Sequence, residues 1–272
     1  MERFKTKKSL GQNFLQDGDA IERIADACGA GPEDLVIEIG PGMGVLTEAL
    51  AERAGKVAAV ELDDRLIPIL QRRFAGVDNV TIIHEDILKA DLRGIIKDAA
   101  MPGSVKIVGN LPYYITTPIL LGLLEQDVPA ESITAMVQKE VAERIVAGPG
   151  GRDYGVLSVS LQYYCTAEYV LDVPAESFKP VPKVDSAVVK LTLKDRSERL
   201  PEAEEKQFFE TVKRSFAQRR KTLGNSLAGF CGSSKEQAAE ALRSAGIAPE
   251  RRAETLSIEE FERAAEAFAK LK

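Results

Sequence analysis

The sequence predicts an α/β protein with a parallel sheet covered on both faces, followed by a small all-helical second domain. Short apolar runs alternate with helical patterns from residue 35 to residue 147, which is typical of a sheet with helices on both faces. A glycine-rich turn follows the first apolar run. Residues 205–272 show only helical periodicity, with glycines separating short helices. These three observations fix the expected fold class.

The first domain is predicted to open with a helix from Asp19, on which Ile21, Ile24, Ala25 and Cys28 form an apolar stripe. Strands are then predicted near residues 35–39, 57–62, 80–84, 105–109 and 133–138. Helices are predicted near residues 45–53, 64–74, 117–126 and 139–147. This alternation specifies a parallel sheet whose ligands bind outside the carboxyl ends of the strands.

The pattern changes after residue 147. A glycine-rich loop at 148–155 precedes an apolar helix at 155–164. A strand near 167–173 and an alternating strand at 187–193 are joined by a proline-containing turn, which predicts an antiparallel edge on the sheet. Polar, proline-broken residues from 195 to 205 indicate a linker. The predicted domains are therefore 1–194 and 195–272.

Composition favours a soluble globular protein. Of 272 residues, 29% are charged and 44% hydrophobic, which is ordinary for such proteins. No run approaches the ~20 apolar residues of a membrane span, and the N-terminus lacks the apolar core of a signal peptide, so we expect a cytoplasmic protein. Three separated cysteines fit reduced thiols, and a single histidine leaves no His-rich metal site.

The net charge of −6 argues against a protein coated with positive charge for nucleic acid. Two local clusters stand out. Residues 1–8 hold four cations against one acid, and residues 213–221 hold five cations and no acid. Either cluster could make local phosphate contacts. A solvated helix face is the alternative for the second cluster.

The turn within Asp34–Thr47 predicts a ligand-binding loop. Gly40, Gly42 and Gly44 alternate with other residues, and glycines allow positive φ angles and a close backbone approach to a ligand. Glu61 ends the next apolar run, where an acid accepts hydrogen bonds from ribose hydroxyls, so the ligand is expected to carry a nucleoside. Because Val45 replaces the sixth-place glycine of the dinucleotide fingerprint, a nicotinamide-dependent oxidoreductase is disfavoured. A glycine turn without a ligand is the alternative.

Four predicted strands each end in a glycine or a polar residue, and these ends lie at one edge of the sheet. The four residues are Gly40, Glu61, Asp86 and Asn110. Each could be an ordinary cap or turn residue, but together they outline a pocket for a nucleoside-bearing cofactor.

The segment NLPYYITTP at 110–118 predicts a site for an amine on a stacked base. Asn110 offers a carbonyl acceptor, and Pro112 biases Leu111 away from helical geometry, which turns a backbone carbonyl the same way. Tyr113 adds a flat aromatic face. A proline turn that packs both tyrosines into the core is the alternative.

Several motifs together identify a family. They are LGQNFL at 10–15, EIGPGMGVLT at 38–47, VELDDRL at 60–66, EDILKAD at 85–91, NLPYYITTPIL at 110–120, FKPVPKVDSAV at 178–188 and FAQRRKTLGNSL at 216–227. With them the chain resembles the S-adenosylmethionine-dependent rRNA adenine dimethyltransferases, and within these the bacterial small-subunit (16S) group, the KsgA family. The resemblance implies a Rossmann-like class I methyltransferase fold in 1–194 and a helical rRNA-contacting domain in 195–272.

The resemblance also implies roles for particular residues. It implies an S-adenosylmethionine site lined by Asn13, Leu15, Gly40, Glu61, Asp86 and Asn110. It implies that Asn110 and the Leu111 carbonyl hold the target amine, that Tyr113 stacks on the adenine, and that Phe178 lies near the other face of the adenine. As a hypothesis, Arg219, Arg220 and Lys221 contact rRNA phosphates or pack the two domains together.

The activity implied is dimethylation of the N6 amines of two adjacent adenines in the 3′-terminal hairpin loop of 16S rRNA, within the 30S particle, during ribosome biogenesis. A monomer without a metal is expected. The first alternative is a 23S rRNA dimethyltransferase of the macrolide-resistance type. The second is a non-catalytic RNA-binding assembly factor of the same fold, against which Asn110, Tyr113 and Glu61 argue.

Overall fold

The computed structural model describes residues 12–218 and 220–271, and the chain divides into two compact units. The first unit contains residues up to 142 together with 166–193, and the second contains 143–165 together with the residues from 194 onward. The helix at Val156–Tyr164 therefore groups with the C-terminal helices, whereas the sequence placed it in the domain ending at residue 194. The functional boundary at 194/195 stays a prediction.

The elements are numbered in chain order. The strands are β1 (Phe14–Leu15), β2 (Leu35–Ile39), β3 (Lys56–Glu61), β4 (Val80–His84), β5 (Val105–Asn110), β6 (Ser132–Gln138), β7 (Cys165–Val173), β8 (Phe178–Lys179) and β9 (Ser186–Leu193). The helices are α1 (Gly18–Cys28), α2 (Val45–Ala51), α3 (Ile67–Arg73), α4 (Leu92–Ala99), α5 (Thr116–Glu125), α6 (Lys139–Val146), α7 (Val156–Tyr164), α8 (Glu202–Phe216), α9 (Leu223–Ser226), α10 (Lys235–Ser244) and α11 (Ile258–Ala269).

The main sheet confirms the predicted architecture. Its strand order is β4-β3-β2-β5-β6-β9-β7, and the first five of these strands are parallel. β9 runs antiparallel to β6, with Ser186 opposite Gln138, and β7 lies beside β9 at the edge of the sheet, where the sequence predicted antiparallel strands. The carboxyl ends of β4, β3, β2, β5 and β6 therefore share one edge, which is also where β9 begins.

One helix of the first unit was not predicted. α4 fills the interval between β4 and β5, for which the apolar pattern suggested no helix. The Asp91 side chain caps this helix by accepting a hydrogen bond from the Gly94 N–H at 3.0 Å. The cap and the apolar pair Ile95 and Ile96 are the local signals for this helix. The predicted linker is also partly helical, because α8 begins at Glu202.

Each unit has its own apolar core. In the first unit, α1, α2 and the sheet bury one cluster that includes Ile24, Leu50 and Val108. In the second unit, Phe208, Phe261 and Phe268 are fully buried. All five residues of β2 are buried, as expected for a central strand covered on both faces.

Two further sequence predictions concern isolated residues. Cys28, Cys165 and Cys231 are all free; Cys28 and Cys165 are buried as expected, whereas Cys231 is only partly buried. Burial raises the pKa of the Cys28 thiol to about 11, which makes it unreactive. The single histidine, His84, is an exposed residue at the end of β4. Within 12–218 and 220–271, no helix combines the length and apolar character that crossing a membrane requires.

Candidate active site

A cleft opens at the carboxyl edge of the sheet in the first unit. Its empty volume, which includes space open to solvent, is about 1140 Å³, so the cleft has room for a small molecule or cofactor. Its walls come from the segment 12–15, the glycine turn and the ends of β3, β4 and β5. Of the predicted site residues, the cleft is lined by Asn13, Leu15, Gly40, Glu61, Asp86, Asn110, Leu111 and Tyr113. The structure therefore brings these eight together.

The glycine turn has the backbone that its spacing predicted. Gly40, Gly42 and Gly44 have φ angles of 67°, 59° and 82°, a region that other residues rarely adopt. A Cβ atom on Gly42 would meet the Phe14 ring at 2.9 Å, whereas a Cβ on Gly40 would meet nothing within 4 Å. Gly42 is thus needed for packing, and Gly40 presents bare backbone to open space.

Glu61 joins the glycine turn to the end of β3. Its Oε2 accepts a hydrogen bond from the Gly42 N–H at 3.2 Å, and its Oε1 accepts one from the Asp63 N–H at 2.8 Å. Burial raises the pKa of the Glu61 carboxyl above its ordinary value, although these backbone hydrogen bonds oppose the shift. Each oxygen retains acceptor capacity, which suits a pair of ribose hydroxyls.

A second buried acid, Glu38, was missed in the sequence analysis. It sits in β2, lines the cleft and is 2% exposed. Its Oε2 accepts a hydrogen bond from the Thr47 hydroxyl at 2.5 Å. Burial raises its pKa to about 7, and the nearby Glu61 carboxylate adds to the shift. The available signal was a lone acid within an apolar run that belongs to a fully buried strand.

Asn110 has a defined amide orientation. Its Nδ2 donates a hydrogen bond to the main-chain carbonyl of Asn13 at 3.0 Å. Because a carbonyl oxygen only accepts, the NH₂ group must face Asn13, and Oδ1 remains available to another donor. The sequence predicted both residues in the site but not this contact between them.

The turn after β5 places an aromatic ring beside this amide. The Leu111 N–H donates to the Met136 carbonyl at 3.0 Å, which fixes the start of the turn. Tyr113 is half-buried, and its hydroxyl shares a hydrogen bond of 2.6 Å with the Ser186 hydroxyl. Burial raises the pKa of Tyr113. Ser186 is a buried residue at the first position of β9, and the sequence analysis gave it no role.

The segment 12–15 is tied down at several points. The Gln12 amide donates to Asp63 Oδ2 at 2.7 Å, and Asp63 also receives two hydrogen bonds from the Arg65 guanidinium. The Arg65 hydrogen bonds hold the pKa of the Asp63 carboxyl well below its usual range. β1 pairs with β8, with Leu15 opposite Phe178. The segment therefore forms one wall of the cleft.

Phe178, which the resemblance places near the other face of the target adenine, is buried in the core of the first unit. It does not line the cleft, and it is 2% exposed within the core cluster that also contains Leu15. The physical reason is the pairing of β8 with β1, which turns the Phe178 side chain toward the core. The predicted place of Phe178 near the adenine therefore stays a prediction.

The remaining predicted residues lie at the margins of the site or elsewhere. Asp86 follows β4 and accepts a hydrogen bond from the Leu88 N–H at 3.1 Å. Arg220 and Lys221 are exposed residues of the second unit. Arg219 and the basic residues 1–8 lie outside the described residues. In the part of the chain that is described, no group of three or more His, Cys, Asp or Glu residues is placed to hold a metal ion.

The fold and the cleft together define a class of protein. A parallel sheet with a late antiparallel strand carries a glycine turn after its first long strand and a buried acid at the end of the next. The open space at Gly40 and the acceptors of Glu61 fit the nucleoside and amino-acid parts of S-adenosylmethionine. This is a class I S-adenosylmethionine-dependent methyltransferase.

The chain belongs to the ribosomal RNA adenine dimethylase family, whose model matches residues 3–270. A relative from Desulfitobacterium hafniense named ribosomal RNA small subunit methyltransferase A is 52% identical over 266 residues, which cover 98% of this chain and 93% of the relative. A relative of the same name from Clostridioides difficile is 49% identical over 258 residues, which cover 95% and 89% of the two chains.

Two solved structures have a similar fold over almost the whole chain. A dimethyladenosine transferase from Plasmodium falciparum superposes with a TM-score of 0.81 at 26% identity, covering 95% of this chain and 98% of the other. The 23S rRNA methyltransferase ErmE superposes with a TM-score of 0.72 at 30% identity, covering 94% and 100% of the two chains.

Proposed function

We propose that the enzyme transfers methyl groups from S-adenosylmethionine to the N6 amines of two adjacent adenines in the 3′-terminal hairpin loop of 16S rRNA. The observation that carries the proposal is the Asn110 amide, whose oxygen accepts no hydrogen bond from residues 12–218 or 220–271 and which lines the same cleft as Tyr113 and Glu61. The small-subunit assignment is supported by identities of 49% and 52% to relatives named for that subunit, against 30% for ErmE.

The cofactor end of the cleft is assigned to the segment 12–15 and the ends of β2, β3 and β4. Glu61 accepts hydrogen bonds from the ribose hydroxyls, and Gly40 lets the backbone approach the ligand. Asn13, Leu15 and Asp86 complete this part of the wall. When bound, S-adenosylmethionine supplies an electrophilic sulfonium methyl group.

The substrate end of the cleft orients the amine. Asn110 Oδ1 and the Leu111 carbonyl accept its hydrogens, and the Tyr113 ring supports the flat base. An exocyclic amine is a weak nucleophile because its lone pair is delocalised into the ring. Acceptors that bind both hydrogens favour a more localised lone pair on nitrogen. Orientation alone contributes on the order of 7–11 kcal/mol in well-placed reactions.

The substrate must present an unstacked adenine, because a base stacked within a duplex cannot enter the cleft. A hairpin loop meets this requirement at a lower cost than a helix. We include in the proposal that the enzyme acts as a monomer in the cytoplasm on the 30S particle or its precursor. Arg219, Arg220 and Lys221 are assigned to contacts with rRNA phosphates.

The test is transfer of tritiated methyl groups to 30S subunits that lack the modification, followed by mapping of the modified bases. We expect two adjacent dimethylated adenines near the 3′ end of 16S rRNA, and no label on 23S rRNA in parallel reactions. The Asn110→Ala variant serves as the inactive control. Label on 23S rRNA alone would contradict the small-subunit assignment, and cofactor binding without any transfer would favour a non-catalytic assembly factor.

A further inference from the structure

Exposed apolar side chains are concentrated around the mouth of the cleft. Among the described residues, eight large hydrophobic side chains are exposed, and five of them lie in loops at the carboxyl edge of the sheet. These five are Leu62, Leu88, Tyr114, Val181 and Val184. They follow β3, β4 and β5 or precede β9, which begins at this edge. We call these five residues the apolar rim.

The rim is wider than a single base. From β4 to β9 the sheet makes five strand-to-strand steps, and strands lie 4.7–4.9 Å apart, so the rim extends over about 24 Å. The proposed function places only one flipped adenine in the cleft at a time. The remaining apolar surface therefore needs another occupant, since clustered exposed apolar groups mark binding sites.

Tyr114 is the aromatic member of the rim. It lines the cleft and is nevertheless 57% exposed. Its neighbour Tyr113 is held inward by the hydrogen bond to Ser186. Of the two consecutive tyrosines, Tyr113 therefore lies inside the cleft and Tyr114 lies at its mouth. The turn that carries Tyr114 is fixed by the hydrogen bond from the Ile115 N–H to the Pro112 carbonyl at 3.1 Å.

The chemistry of the rim matches single-stranded RNA. Exposed lysines stand near its apolar members: Lys89, which forms an ion pair with Asp86 at 3.9 Å, follows Leu88, and Lys179 and Lys183 lie two residues to either side of Val181. Aromatic faces interleaved with cations are the usual surface for unstacked bases and their phosphates. The rim is also continuous with the cleft through Tyr114 and Leu62, both of which line it.

We propose that Tyr114 is a stacking platform for the nucleotide next to the adenine that enters the cleft. This inference rests on the proposed function and adds a second base-binding position to it. The neighbouring base leaves its own stack and lies on the Tyr114 ring, with the lysines of the rim near the adjoining phosphates. Stacking needs the flat ring but does not need the hydroxyl. The Tyr114→Phe variant is therefore expected to keep the function.

The test uses three variants at this position, with under-methylated 30S subunits as substrate. Base–aromatic stacking predicts that Tyr114→Ala raises the KM for 30S about 5- to 150-fold. Tyr114→Leu keeps apolar bulk without the flat ring and is expected to raise KM similarly. Tyr114→Phe is expected to stay within about twofold of the parent enzyme. Tyr169→Ala removes an exposed tyrosine of β7 and serves as the control without effect.

Cofactor affinity, measured by calorimetry, shows that each variant is folded. Recovery of the parent KM by Tyr114→Leu would assign the position to a protein contact and overturn the proposal. An unchanged KM in Tyr114→Ala, or dimer formation of the parent that Tyr114→Ala abolishes, would overturn it too. If the parent enzyme transfers no methyl to 30S, the proposed function itself fails and the platform fails with it. If the parent enzyme methylates 30S subunits normally and none of the Tyr114 variants changes the KM, only the stacking role of Tyr114 is refuted and the proposed function stands.

Discussion

The Asn110 side chain donates a hydrogen bond to the Asn13 carbonyl at 3.0 Å, across 97 positions of the sequence. This contact links the wall of the cleft formed by residues 12–15 to the end of β5. It also determines which atom of the amide is available to a substrate. The orientation of the proposed acceptor therefore depends on the position of the segment 12–15.

Replacement of Asn110 is expected to lower the rate of methyl transfer much more than it lowers the affinity for the cofactor. Asn110→Ala removes the acceptor, and loss of one such oriented group typically costs about 10²–10³ in kcat. Asn110→Asp keeps the size of the side chain, but an ionised carboxylate cannot donate to the Asn13 carbonyl, so a similar loss is expected. Single-turnover methyl transfer and cofactor titration measure the two effects. Retention of full activity in Asn110→Ala would contradict the amine-orienting role.

Glu61→Gln tests the acid at the end of β3. The substituted amide offers one acceptor instead of two to the Gly42 and Asp63 N–H groups, and it weakens the site for ribose hydroxyls. Since hydrogen bonds to charged groups contribute about 1.5–3 kcal/mol, the cofactor Kd is expected to rise roughly 10- to 150-fold. Calorimetric titration gives the value. The exposed residue Glu52 provides the matched control, Glu52→Gln, for which an equal loss would refute a specific role of Glu61.

Glu38 is expected to make the free energy of unfolding depend on pH. Burial raises its pKa to about 7 in the folded protein, against an ordinary value of 4.5, so the folded state binds its proton more tightly than the unfolded chain does. Its contribution to stability is therefore complete below about pH 4.5 and is lost as the pH rises toward 7 and above.

The Glu38→Gln variant cannot ionise at this position and is expected to lack that loss. Relative to the parent, its free energy of unfolding should rise by about 3 kcal/mol between pH 4.5 and pH 8. Urea unfolding at several pH values measures the difference. Parallel curves for the two proteins would show that Glu38 does not titrate in this range.

The hydrogen bond between Tyr113 and Ser186 is expected to position the tyrosine ring for transfer. Ser186→Ala leaves the half-buried phenol without its partner, and a neutral hydrogen bond contributes about 0.5–1.5 kcal/mol, so kcat should fall about 2- to 13-fold. The double variant Tyr113→Phe, Ser186→Ala should be no worse than the more impaired single variant. Additive losses in this cycle would mean that the two hydroxyls act independently.

The basic residues before α9 are expected to bind phosphate. Charge reversal at Arg220 and Lys221 should weaken binding to 30S subunits and reduce the slope of log K against log salt by roughly one for each lost phosphate contact. Affinity measured at several salt concentrations gives the slope. Lys235→Glu, on an exposed position of α10, is the control. An unchanged slope in the double variant would contradict the phosphate role.

Local patterns were sufficient to predict the part of the fold that forms the site. The alternation of apolar runs identified the parallel strands, and the carboxyl ends of parallel strands meet at one edge of a sheet. Gly40, Glu61, Asp86 and Asn110 could therefore be placed together before their contacts were known. The spacing of the glycines similarly predicted the positive φ angles of the turn.

Long-range contacts were not predictable from the same patterns. The roles of Ser186 and Glu38 depend on which side chains lie opposite them, and β9 reaches β6 only through the register of the folded sheet. Phe178 shows the same limit, because its burial follows from the pairing of β8 with β1. A motif places a residue along the chain, whereas strand pairing decides which way its side chain points.

The position of β9 has a consequence for synthesis of the chain. β9 covers the side of β6 that faces away from β5, but it is made only after residues 139–185. Until then β6 is an edge strand with a row of unpaired N–H and C=O groups, which attracts strands of other chains. Nascent or truncated chains that stop before Ser186 are therefore prone to associate through β6, and they lack the hydroxyl that fixes Tyr113.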